Sequence, residues 1–173
     1  MSKKINNKSQ NSQQTDLFST VENPIVLQTT PTTSITKKAI RCGEVKIIPG
    51  VVCDAYILDD GTAVMSERGF ADLLGIDHTT LINMVDKWPL KSMEQFWDKG
   101  LTITVTLAKV EVEKSHYNGR EIVVYDDKTM ENIIRTYSLA YAHGALRPDQ
   151  IHVGKTASTL LGILVRTAMH IFI

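Results

Sequence analysis

Apolar residues dominate the short runs Glu44–Ile48, Val51–Leu58 and Thr62–Met65 between polar and turn residues, which predicts three strands. Pro49-Gly50 and Asp59-Asp60-Gly61 break the runs, so these strands are expected to form a small antiparallel sheet. Leu101–Glu113 and Arg120–Tyr125 are β-branched and alternating. Asn118-Gly119 between them supplies the positive φ angles of a tight hairpin turn.

The period changes to helical elsewhere. Ser66 reads as the N-cap of a short helix ending at Gly75, and Asp77 as the N-cap of a second running to about Trp88, where Pro89 blocks continuation. Ser92 with Gln95 three residues on is a capping box for a brief helix through Asp98. Asp127 is the expected cap of a longer helix whose Met130, Ile133, Ile134, Tyr137 and Tyr141 share one face, with Gly144 ending it. After Leu146-Arg147-Pro148 a last helix places Leu160, Leu161, Leu164, Val165 and Ala168 in an expected buried stripe. The fold class expected is therefore α+β, a small antiparallel sheet with hairpins, a helix-turn-helix-like pair and two C-terminal helices.

Residues 1–38 are read as a disordered tail and 39–173 as one α+β domain. Ser2–Thr36 consists mainly of Ser, Thr, Asn and Gln and has too few large apolar side chains to offset its ordering entropy. The end, His170-Ile171-Phe172-Ile173, has no polar cap and reads as a truncation. A domain of about 130 residues buries roughly two thirds of its unfolded surface, so no disulfide or metal is required. Cys42 and Cys53 read as buried thiols in a reducing compartment, and the basic start MSKKINNKSQ lacks the apolar run of a secretory signal. Thr156–Ile173 carries Arg166 and His170, which disfavours a membrane span. A cytoplasmic protein is expected.

Nineteen basic and nineteen acidic residues cancel, yet Met1–Gly43 holds six Lys or Arg against two acids, leaving the remainder net acidic. Overall charge therefore does not point to nucleic acid. The indication is local. In ERGFADLLGIDHTTLINMVD, Glu67 to Asp86, a small residue stands in the first helix, a Gly at the turn, and apolar residues where two crossing helices need a seam: Ala71, Leu74, Gly75, Ile76, Leu81 and Met84.

Over those twenty residues the chain resembles the helix-turn-helix of phage and bacterial regulators. The resemblance implies that Asp77, His78, Thr79, Ile82 and Asn83, with Lys87 at the end, face a major groove. Asn83 carries the amide that pairs with adenine. Across Gly43 to Tyr141, the order of a strand pair ending in DDGTAVMSERGFADLLGI, a helix pair, a long hairpin and further helices is similar to the N-terminal domains of phage antirepressors, the Bro-N, AntA and Rha group. That similarity implies a DNA-associated regulator of phage or mobile-element genes, acting on DNA or by trapping a repressor. The chain departs from the group in the acids Asp77 and Asp86 and in lacking a recognisable C-terminal effector domain.

Lys114, His116, Tyr117 and Arg120 place cationic and aromatic groups at the expected hairpin tip, as a wing lying on a phosphate backbone requires. Glu111, Glu113 and Glu121 along its stem weaken the field. In the tail, Gln14-Thr15-Asp16-Leu17-Phe18 resembles the pentapeptide with which bacterial replication proteins dock on the sliding clamp; that likeness implies partner contacts from Gln14, Asp16, Leu17 and Phe18. The alternative to DNA binding is thus a non-enzymatic interaction module that binds a repressor or the sliding clamp through its tail.

Catalysis is not expected. Gly154-Lys155-Thr156 lacks the earlier Gly of a phosphate loop, Asp149 standing in its place. His78, His116, His143, His152 and His170 show no metal-ligand spacing, and no cofactor is implied. Arg147, His152 and Lys155 gather near a helix start, where an anion is favoured or where they form an ordinary exposed connection.

Overall fold

The computed structural model describes residues 36–171. Five strands, β1 (Lys37–Val45), β2 (Cys53–Leu58), β3 (Ala63–Ser66), β4 (Val105–Val110) and β5 (Glu121–Asp126), close into a barrel in the order β1-β2-β3-β5-β4. The α+β class holds, and the sheet is a closed barrel rather than a small open one. Every pairing is antiparallel except β1 with β4, where Lys37 to Ala39 lie parallel to Ala108 to Val110. That parallel pair removes the sheet edges, which would otherwise expose unpaired backbone. It also moves the first strand: β1 begins at Lys37, not Glu44, and Lys46–Val52 is a connection.

A bulge between Ala39 and Arg41 sets the inward residues of β1. It shifts the alternation so that Ala39 and Cys42 both reach the barrel interior, beside Tyr56, Leu58, Val64, Ala108, Val110 and Val124. Two alanines on adjoining strands leave room for the large Tyr56 ring in so narrow a barrel. The opposite faces of β2, β3 and β5 present Cys53, Met65 and Tyr125 to a second core shared with the helices. Strands apolar on both faces are what a barrel packed against helices demands.

The helices are α1 (Glu67–Leu74), α2 (His78–Asp86), α3 (Asp127–Ala142) and α4 (Ile151–Ile171). Ser66 caps α1 as expected, its hydroxyl accepting from Gly69 N–H at 3.1 Å. The cap of α3 is Asp126, which accepts from Thr129 N–H at 2.8 Å; Asp127 is the first helical residue. The helix expected from Ser92 to Asp98 is only a single 3-10 turn, Lys91–Met93, without a side-chain cap. Met93 is fully buried there, and packing of that side chain has overridden the capping box.

The hairpin connection is longer than expected, running from Glu111 to Arg120, because β4 ends at Val110 and not at Glu113. Glu111 N–H bonds to Ala39 O at 2.9 Å, so the chain leaving β4 follows β1 before returning; Gly119 does take a positive φ of 75°. The buried stripe expected on α4 holds only at its start. Leu160 is fully buried and Leu161 half-buried, whereas Leu164, Val165 and Ala168 are exposed. Contacts with α3 centre on Gly154 against Tyr141 and on Ser158, whose hydroxyl lies 2.9 Å from that of Ser138. Beyond Leu161 the described residues of α4 are exposed apart from half-buried Ile163.

Candidate nucleic-acid interface

The helix pair starts from local chemistry. A Cβ at Gly69 would sit 3.2 Å from Met65 Cγ and 3.3 Å from Asp54 N, so glycine lets α1 press onto the barrel. Gly75 ends α1 in the left-handed region at φ 71°, and Ile76 N–H bonds back to Ala71 O at 3.0 Å. Asp77 then caps α2, accepting from Thr79 N–H at 2.8 Å and from the Thr79 hydroxyl. Those bonds, the hydroxyl's foremost, hold the Asp77 carboxyl below its usual range, so it remains ionised. His78 Nδ1 lies 3.6 Å from the Asp77 carboxylate.

The two edges of α2 have opposite fates. Leu81 and Met84 are buried with Ala71 and Leu74 in the helical core. The Tyr137 hydroxyl of α3 donates to Met84 Sδ at 3.0 Å, and burial pushes its pKa up to about 12. Thr79, Thr80, Ile82, Asn83 and Lys87 are exposed, and His78 is half-exposed. This is the edge that the resemblance assigns to a major groove.

Beside it lies a groove of about 300 Å³. Thr80, Asn83 and Lys87 line one wall, Arg147, Asp149 and His152 the other, with Tyr137 at the floor. A second depression of about 420 Å³ adjoins it, sharing Leu90, Arg147 and Gln150 and adding Lys91. Gln150 is buried and fixes the Arg147 backbone, its side-chain oxygen accepting from Arg147 N–H at 3.3 Å while its own N–H reaches Arg147 O at 2.8 Å. Arg147 Nη2 meets Asp149 at 3.2 Å in a largely exposed pair.

The hairpin residues lie elsewhere. Ser115 is buried with its hydroxyl 3.2 Å from that of Tyr56, so the connection folds over the barrel. Tyr117 is half-buried against the barrel core and its ring centroid is 3.9 Å from that of His116. His116 Nε2 is 3.7 Å from Asp54, and with Lys114 it borders a 270 Å³ cavity that also includes Cys42 and Glu44. Arg120 is exposed. The cavity at this tip includes no residue of α2.

The fold thus brings Thr79, Ile82, Asn83 and Lys87 to one exposed edge and leaves Lys114, His116, Tyr117 and Arg120 at another place. Thr80 and Lys91 were missed in the sequence; no local spacing links them to Arg147, 67 and 56 positions away. Of the residues noted near the last helix, Arg147 and His152 line the groove and Lys155 does not. Gln14, Asp16, Leu17 and Phe18 lie outside the described residues. Among the described residues no helix is long and apolar enough to cross a membrane, and no three His, Cys, Asp or Glu side chains converge to hold a metal. No protein-family model, curated protein or solved structure matches the chain.

Proposed function

We propose that this protein is a DNA-associated regulator of a phage or mobile element, antirepressor-like, that reads duplex DNA with α2. One observation carries the reading: α2 sinks Leu81 and Met84 into the core and leaves Thr79, Ile82, Asn83 and Lys87 in an open row. A recognition helix requires that division. Thr and Asn supply donors and acceptors for base edges, Ile82 an apolar contact for a thymine methyl, and Lys87 a phosphate contact. The phage setting comes from the likeness of DDGTAVMSERGFADLLGI to the antirepressor group. Lys114 and Arg120 at the barrel end are free to add a backbone contact away from α2.

Asp77 and Asp86 oppose phosphate, so the affinity expected is modest and strongly salt-dependent. An electrophoretic shift series on random duplex at two salt concentrations tests this. Binding at low salt that collapses at high salt is the expected result.

A protein-interaction module is the second reading. It is favoured by α4, where Leu164, Val165 and Met169 are 45%, 64% and 59% exposed along its distal turns. Such an apolar contact, to a repressor for instance, would barely respond to salt. Duplex binding absent at low salt, with salt-insensitive capture of a repressor, would replace the first reading by the second.

A further inference from the structure

The groove beside α2 has a composition of its own. Lys87, Lys91, Arg147 and His152 line the two adjoining depressions, against the one carboxylate of Asp149. The domain as a whole is net acidic, so the three cations Lys87, Lys91 and Arg147 gathered here are a local exception. Neither Lys87 nor Lys91 has an ion-pair partner among the described residues. Arg147 has only an exposed pair, which costs little to exchange for another anion. Its backbone is nevertheless fixed by buried Gln150. A cation with a held base and a head engaged only in an exposed, exchangeable pair suits an extended polyanion that passes along the surface.

We propose that this trough seats the sugar–phosphate backbone of a nucleic-acid duplex, with Lys91 and Arg147 as phosphate ligands that set the angle at which α2 meets the groove. The ligand is a phosphodiester chain, and Lys91 and Arg147 contact it whatever the base sequence. The inference rests on the reading of α2 as a DNA-facing helix, and it adds sequence-independent contacts from the 3-10 turn at Lys91 and from the α3–α4 connection at Arg147.

The test is fluorescence anisotropy of a labelled duplex with the full chain over a range of salt concentrations. The double variant Lys91→Ala/Arg147→Ala should flatten the slope of log K against log salt by about 1.8, near 0.9 for each lost contact. At 0.1 M salt that corresponds to a loss on the order of tens of fold, equal on every sequence. Arg147→Lys in the Lys91 background should keep the wild-type slope. Should the double variant melt early, Arg147→Gln alone is expected to remove about half of that change.

A double variant with wild-type slope and affinity overturns the trough while leaving α2 intact as reader, provided that Thr79→Ala/Asn83→Ala loses sequence preference. The converse result, a flattened slope with no effect of Thr79→Ala/Asn83→Ala, supports the trough and removes base reading. Absence of duplex binding at low salt overturns both. Inorganic phosphate at matched ionic strength separates the sources of the anion: saturable phosphate binding without duplex binding marks a small-anion site and overturns the proposal.

Discussion

The Tyr137 hydroxyl donates to the sulfur of Met84 across 3.0 Å inside the core, joining α3 to the buried edge of α2. Trp88, just past the end of α2, has its ring 6.1 Å from the same tyrosine. Seated by these contacts and by α1, α2 keeps its outward row at a set height above the groove.

Met84→Ala should therefore destabilise the domain by about 2–5 kcal/mol, the range for emptying a buried long side chain. Tyr137→Phe removes only the hydroxyl and should cost about 1 kcal/mol. Urea unfolding of both variants checks the order of the two effects. Equal costs would show that Met84 is not packed in the core.

Thr79→Ala/Asn83→Ala should leave the melting temperature nearly unchanged, because both side chains are exposed. On DNA, the loss of Asn83 should cost about 1–3 kcal/mol of discrimination between the preferred site and the same site with one adenine replaced. Competition binding measures this. Undiminished discrimination would exclude α2 as the reader.

Gly154→Ala should destabilise by about 1–3 kcal/mol, since the added methyl clashes with Leu146 Cδ1 and falls 2.7 Å from Tyr141 Cβ. Gly162→Ala is the control, because nothing lies within 4 Å of its Cβ position and helix propensity improves there. Thermal melts should move in opposite directions for the two substitutions.

Alkaline pH should weaken the fold. Burial, chiefly, pushes the Cys53 thiol up to about 11 from an ordinary 9.0, and burial also raises Tyr137. The folded state then holds protons that the unfolded chain releases, so stability is full below pH 9 and falls as pH climbs toward 11. Chemical denaturation at pH 8 and pH 10.5 should show the drop, and Cys53→Ala should reduce it. At pH 8, half-buried Cys42 should react with a thiol reagent well before buried Cys53.

Much of the local structure was legible along the chain. Ser66, Gly75 and Asp77 occupy the capping and turn positions expected of them, and Ala71, Leu74, Leu81 and Met84 are buried as the seam required. These features depend on neighbours within one or two helical turns, where spacing alone states the geometry. The failures share a different cause. Ser92 and Gln95 formed no capping box because Met93 is drawn into a core built from distant segments, and the strand expected to run to Glu113 stops at Val110, where the chain turns to tie Ser115 to Tyr56, 59 positions away.

The candidate site divides in the same manner. The row Thr79, Ile82, Asn83 was implied by the likeness of the segment to helix-turn-helix proteins, and all three residues are exposed on the edge of α2 away from Leu81 and Met84. Closure of the barrel by β1 against β4, the trough that sets Lys87 and Lys91 opposite Arg147, and the emergence of Leu164 and Val165 from the core were decided only in three dimensions. Pairings between remote segments depend on which surfaces meet when the chain closes its long loops, and periodicity within a segment carries no record of the partner it will find.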